Sequence, residues 1–238
     1  MEVAGKKHVK RRRDPEATRE ALLRAGTELF ALRGFDGVTV DEIAAKAGAN
    51  KALISYYFRG KRGLYRTILQ STLAAGVERQ GSLAESPRPP AELLREFIAN
   101  FHHMATVERP FFPALMLREI LESGKTFDDD VVPEVLALFQ IVRAIIARGV
   151  AEGVFRPVHP FLAHLGIIGS LVFFYATEPT RQRLVAQKRL PVSLPTSKEF
   201  LDHIQEIVIR GLAVEPARTD GGTGEDRLMK TEDNGEHR

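Results

Sequence analysis

Between Thr39 and Lys61 the chain reads TVDEIAAKAGANKALISYYFRGK, and this stretch constrains the fold more than any other. It divides around Gly48 into two short helical patterns. Ile43, Ala44 and Ala47 give the first its apolar face. Thr39 and Glu42 stand at capping-box spacing, where each side chain satisfies one backbone N–H that a helix start leaves unpaired. Gly48 falls just past the last periodic residue, where a left-handed cap disfavours a Cβ. Asn50 suits the cap of a second helix over 51–58, which is too short to persist in water without tertiary packing. Leu53, Ile54 and Phe58 pin its inner side and leave Lys51, Ser55, Tyr56 and Tyr57 outward or sideways. A helix, a glycine turn and a hydroxyl-rich second helix form a helix-turn-helix candidate. The two-helix pattern alone fits an ordinary αα-hairpin equally well.

The flanks weigh against the plain hairpin. Lys61 and Arg62 follow at once and supply donors for phosphates. Ahead lies an amphipathic helix over 16–33, with Leu22, Ala25, Leu29 and Phe30 on one side. The block Ala25–Tyr65, AGTELFALRGFDGVTVDEIAAKAGANKALISYYFRGKRGLY, resembles the TetR family of bacterial transcriptional repressors. The resemblance covers roughly the first quarter to third of the chain. It implies that the second helix enters the major groove, with Lys51 and Ser55 at base edges. It also implies that Tyr57 and Lys61 clamp phosphates and that Thr39 offers its helix start to another. Asn50 and Tyr56 complete the candidate DNA surface. Asn50 replaces a commoner Ser, Leu53 stands where a polar residue is frequent, and Ser55 where an aromatic is frequent. Operator preference is therefore not transferable from relatives.

Charge supports a nucleic-acid partner. Residues 1–66 carry 15 Lys and Arg against 8 Asp and Glu, and the remainder carries 19 against 23. A basic front on a mildly acidic body suits a polyanion-binding module joined to a different one. The extreme amino terminus, KKHVKRRR over Lys6–Arg13, is an expected disordered arm able to follow phosphates, or simply a solvated tail.

Behind the head, the patterning stays helical. A fourth helix over 62–80 has Leu64, Ile68, Leu69 and Leu73 on its stripe, and GSLAESPRPP breaks it. Leu94, Phe97, Ile98 and Phe101 share a face of the next helix. A long helix is expected from Asp128 to Gly149, with the Asp128–Asp130 triplet complementing its dipole. The stretch Phe161–Ala176 is apolar on nearly every side. Its 16 residues, among them His164, fall short of the roughly 20 needed to cross a bilayer. No membrane partner is expected. Such a helix must be covered on both sides. By resemblance it would pair with the last helix in a two-fold dimer interface, with Gly166, Gly169 and Ser170 allowing close approach and Phe200, Ile204 and Ile207 facing the partner. A core helix in a monomer is the alternative.

The expected fold class is all-α: a three-helix DNA-binding head with a helix-turn-helix, joined to a larger helical bundle for ligand binding and dimerisation. The expected divisions are a disordered basic arm (1–14), the head (15–61), the bundle (62–213) and a disordered tail (214–238). The chain has no Cys, which excludes disulfides and cysteine-ligated metals and is compatible with a reducing cytoplasm. The basic amino terminus lacks a following apolar run, so no signal peptide is expected, and a cytoplasmic location is. No phosphate loop, His-Glu-x-x-His or Gly-x-Ser-x-Gly pattern occurs, so neither an enzyme nor a cofactor is expected. Adjacent His102 and His103 diverge by about 100° on a helix and are poorly placed to share a metal. Phe101, His102, Met104, Phe112, Met116, Phe139 and Phe173 are of types that could line a pocket for a small apolar effector. Ordinary core packing uses the same types. The expected partners are thus operator DNA, an effector and a second copy of the chain. The competing reading is a helical small-molecule-binding protein or enzyme with an incidental amino-terminal hairpin.

Overall fold

The structure is a computed structural model that describes residues 14–122, 124 and 131–214. The arm before Asp14, the tail after Val214 and the Asp128–Asp130 triplet lie outside these residues. Among the described residues there are ten α-helices and no strand. Helix α1 (Pro15–Arg33) starts where the Asp14 carboxylate accepts from the Glu16 N–H at 3.0 Å, and Pro15 takes the first turn, where its missing N–H costs nothing. Helix α2 (Val40–Ala47) carries the complete Thr39–Glu42 capping box and ends at Gly48, whose φ is 60°. Helix α3 (Ala52–Phe58) starts one residue later than the sequence suggests. Asn50 Oδ1 accepts from the Ala52 N–H at 2.9 Å, which leaves Lys51 in the turn. At seven residues α3 is held by packing, through Ile54 and Phe58, both buried.

Helix α4 (Lys61–Gln80) runs into a 3-10 turn, Gly81–Leu83, and then α5 (Pro90–His103). A π-helical turn, Met104–Glu108, leads to α6 (Phe112–Leu121). Helices α7 (Val132–Ala151), α8 (Pro160–Ala176), α9 (Glu178–Ala186) and α10 (Ser197–Leu212) complete the bundle. Helix α9 has no buried residue, so it carries no apolar stripe by which sequence could announce it. No single described helix is long and apolar enough to cross a membrane. Helices α8 and α9 reach that length only together, across a 44° bend.

Two buried clusters organise the chain. The first joins Leu22, Phe30, Ile43, Ile54 and Leu64 of the head to Leu115 and Met116 of α6. The second gathers α5, α7, α8 and α10 around Phe97, Ile98, Ile146 and Leu171. Each fully buried Leu, Ile or Phe is worth about 1.5–3 kcal/mol. The first cluster therefore fixes the head against α6 instead of leaving it on a free linker.

His164 of α8 is buried edge-on against Phe139, 5.5 Å between ring centres, and its Nδ1 has no hydrogen-bond partner. Burial lowers its pKa from the usual 6.5. The unfolded chain then binds the proton more readily, so His164 costs no stability above pH ~6.5 and progressively more as pH falls toward the folded value. His102, lowered chiefly by burial, acts in the same direction. The melting temperature should fall between pH 7.5 and 5.5, and His164→Phe should reduce that fall. An equal fall in both proteins would remove His164 as its source.

Candidate nucleic-acid interface and interior cavity

The turn-and-helix unit is locked from within. Thr39 N donates to Glu42 Oε2 at 2.8 Å, and Glu42 N donates to Thr39 Oγ1 at 3.3 Å. Arg33 of α1 reaches the same carboxylate at 2.9 Å. Hydrogen bonds from Arg33, then from Thr39, hold the Glu42 pKa down to about 2. Lys51 pairs with Asp41 at 2.9 Å, tying the turn to the first face of α2.

Helix α3 turns Ser55 and Tyr56 fully outward, and Tyr56 is 77% exposed. Tyr57 is half-buried, its ring edge-on to those of Tyr56 and Phe58 at 5.0 and 6.1 Å. Lys61 sits differently from the sequence expectation of an outward cation. Its ammonium donates to Val38 O at 2.9 Å and stands 4.2 Å from the centre of the Phe35 ring. It ties the start of α4 to the link before α2, and any phosphate contact would have to share it with that carbonyl. Sequence reading left Arg59 out of the surface. It is exposed beside Arg62, and neither has an ion-pair partner among the described residues. The alternation FRGKR, with Arg59 at φ 60°, was the available signal.

The head is gripped from behind by α6. Arg118 donates through Nε to Ala31 O at 3.0 Å and through Nη2 to Leu32 O at 2.9 Å. These are carbonyls of the last turn of α1, which lack helical partners. Tyr65 of α4 donates its phenol to the buried Glu119 carboxylate at 3.0 Å, and burial pushes the phenol's pKa up.

A cavity lies between α4, α5 and α6, closed by Leu138 and Ile168. It measures about 500 Å³ once its open mouth is counted, but its enclosed part has room for little more than water. Of the sequence-named pocket residues, Phe101, Met104 and Phe112 line it. The other four do not. His102 is turned to Tyr175, with Nδ1 2.6 Å from the phenol oxygen. Met116 is buried in the head cluster. Phe139, one residue on from Leu138 and so rotated by about 100°, packs on Phe161 and His164 instead. Phe173 is 63% exposed on the outer side of α8.

The residues named for a dimer contact also separate. Gly166, Gly169 and Ser170 lie exposed on α8 in one stripe with Leu162, Leu165 and Phe173, and Ile207 is exposed on α10. Ile204, less than one turn earlier on α10, is instead buried in the protomer's second cluster. Phe200 is half-buried and stacked flat on Phe174, with ring centres 3.6 Å apart. Both of these side chains are already used within one protomer. Among the described residues no three His, Asp or Glu side chains gather to hold a metal.

A head of one long and two short helices, with a capping box at the turn, a polar helix turned outward and a helical bundle clasped behind it, has the arrangement of a helix-turn-helix DNA-binding regulator. Residues 22–68 match the family model described as bacterial regulatory proteins, tetR family. The chain is 28% identical over 211 residues to the HTH-type transcriptional repressor NicS of Pseudomonas putida, covering 85% of this chain and 95% of that protein. Its fold resembles that of the ketosteroid transcriptional regulator KstR2 of Mycobacterium tuberculosis, with a TM-score of 0.65 at 20% identity, covering 83% of this chain and 95% of that one. It also resembles the TetR family regulator PfmR of Thermus thermophilus, with a TM-score of 0.64 at 23% identity and 81% and 99% coverage. Over residues 22–68 the chain thus carries the tetR-type DNA-binding region, and along most of its length it resembles TetR family transcriptional regulators.

Proposed function

We propose that the chain is a homodimeric repressor that leaves its operator when a small, largely apolar effector enters the cavity lined by Phe101, Met104 and Phe112. The observation that carries this reading is physical continuity. Phe112 opens α6, and the same helix holds α1 through Arg118 and α4 through Tyr65–Glu119. An effector that pushes on the first turn of α6 then acts on both helices that set the angle of the head. Coupling of about 1–3 kcal/mol suffices to depopulate the DNA-competent state.

The head (15–61) and bundle (62–213) serve as functional divisions, with α4 belonging mechanically to both. On DNA, Lys51 and Ser55 read base edges and Tyr56 lies against the groove wall. Thr39, Asn50 and Tyr57 position the unit against phosphates, Arg59 and Arg62 contribute charge, and Lys61 chiefly fixes α4. Two heads must fit grooves roughly 34–36 Å apart, and the exposed apolar stripe of α8 with Ile207 of α10 supports a dimer contact there.

The test is selection of bound DNA from random sequence, followed by variants. Ser55→Ala with Lys51→Ala should relax preference at particular base pairs, each worth about 1–3 kcal/mol. Arg62→Ala should weaken every sequence alike and reduce the salt slope by about one unit. A double variant that keeps the full wild-type preference would remove α3 from base readout.

A further inference from the structure

We infer that the effector is an amphiphile with an anionic head, and that Arg79 and Arg109 hold this head at the cavity mouth in place of Glu108. The inference rests on the reading of the cavity as the effector site and adds the chemical class of what fills it.

Polarity in the cavity is arranged by depth. Leu73, Phe97, Phe101, Met104, Phe112 and Ile168 make the interior apolar. The neutral polar side chains of the lining, Thr72, Gln80 and Asn100, are occupied with each other and the backbone, Thr72 Oγ1 donating to Ile68 O at 2.9 Å. Gln80 Nε2 donates to Phe97 O at 2.9 Å, and Asn100 Nδ2 donates to Gln80 Oε1 at 3.0 Å. The charged lining residues are Arg79, Glu108 and Arg109. Arg79 is paired with Glu108, and His103 Nε2 stands 3.4 Å from the same carboxylate oxygen. Arg109 has no ion-pair partner among the described residues. On the outer side, Glu108 and Arg109 border a groove against α1. Its other charges are largely self-matched, as Arg19–Glu16 and Arg24–Glu20 at 3.7 Å each and Lys46–Glu28 at 2.8 Å. The mouth therefore presents two guanidinium groups against one carboxylate. An entering carboxylate or sulfonate gains both, whereas a cation meets a net positive rim and a neutral ligand leaves the Arg79–Glu108 pair shut.

The placement of Glu108 gives the exchange a consequence. It ends the π-helical turn Met104–Glu108, whose first residue is a wall of the cavity and whose Met104 O accepts from the Arg109 N–H at 2.7 Å. Single π turns are an uncommon, adjustable geometry that recurs at functional sites. Glu108 is followed after three residues by Phe112, the first residue of α6. Replacing its partner by a ligand head frees the segment that feeds α6, and Met104, flexible at three torsions, can yield to the ligand's body.

The experiment uses two fluorescent probes sharing one aromatic body, 1-anilinonaphthalene-8-sulfonate and the uncharged N-phenyl-1-naphthylamine, titrated into the full chain. The sulfonate should bind more tightly than the uncharged probe. Arg109→Gln, which alters an exposed and unpaired side chain, should weaken the sulfonate by about tenfold or more and leave the uncharged probe unchanged. Glu108→Gln should strengthen the sulfonate selectively. Met104→Trp, with folding checked by thermal melt, should remove both. If Met104→Trp removes both probes while the charge variants move neither, the cavity stands as the effector site and the anionic head is wrong. If Met104→Trp leaves both probes bound, the cavity is not the site and both readings fall.

Discussion

Gly63→Ala should abolish operator binding and cost the head about 3 kcal/mol or more, at the upper end of overpacking effects. A Cβ placed on Gly63 would lie 1.7 Å from Phe58 O and 2.9 Å from its carbonyl carbon. No side chain can rotate aside, because the obstacle is backbone at the last turn of α3. The chain reverses there through Arg59 at φ 60° and Gly60 at φ 107°, which folds the end of α3 onto the first turn of α4. Phe58 is itself buried, so relieving the clash means pulling it from the core and swinging Ser55 and Tyr56 away from their common surface. Gly81→Ala is the matched control. Its Cβ meets nothing within 4 Å and its φ is −56°, so alanine there should be neutral or slightly stabilising. Thermal unfolding and DNA titration of both variants settle the matter. Wild-type DNA affinity in Gly63→Ala would mean that the α3–α4 junction does not fix the reading helix.

The head was legible in the sequence because its determinants are local. The Thr39–Glu42 box, the left-handed Gly48 and the Asn50 cap each act across no more than three residues, and each appears in the structure with the expected bond or angle. The apolar face of α5 was equally readable, since Leu94, Phe97 and Ile98 recur with the helical period and are buried. What sequence could not give is rotation and long-range pairing. Helix α8 is apolar around its whole circumference, so periodicity does not say which side the protomer covers. Its inward set proved to be His164, Ile167, Leu171, Val172 and Tyr175. Helix α10 shows the converse: its marked amphipathic face turns Ile204 into the protomer, although the sequence placed it with Ile207 toward a partner. Arg118 grips carbonyls 86 and 87 residues away, and Lys61 finds Val38 O across 23 residues. A basic residue beside a recognition helix suggests phosphate from sequence alone, and only the fold reveals the competing carbonyl.

Gly169→Glu and Ile207→Glu should each convert the regulator into a folded monomer with operator affinity lower by orders of magnitude. The stripe of Leu162, Leu165, Gly166, Gly169 and Phe173 is open on the protomer, and a Cβ on Gly169 meets nothing within 4 Å. Ile207 is 52% exposed. A glutamate at either position therefore adds no clash and no buried charge to the protomer itself. In the proposed two-fold contact the same carboxylate would be buried without a partner. It would face its own symmetry copy, at a cost of several kcal/mol per charge. Loss of the dimer separates two heads whose linkage makes the second binding event intramolecular, an advantage of about 10²–10⁴ in affinity. Ile204→Glu gives the contrast, because Ile204 is only 6% exposed within the protomer. That variant should lose its cooperative melt, whereas the other two keep theirs. Sedimentation of all three distinguishes the cases: an intact dimer in both Gly169→Glu and Ile207→Glu would move the contact off these helices. Unfolding in both would instead mean that the stripe belongs to the protomer's own core, which its exposure in the single chain argues against.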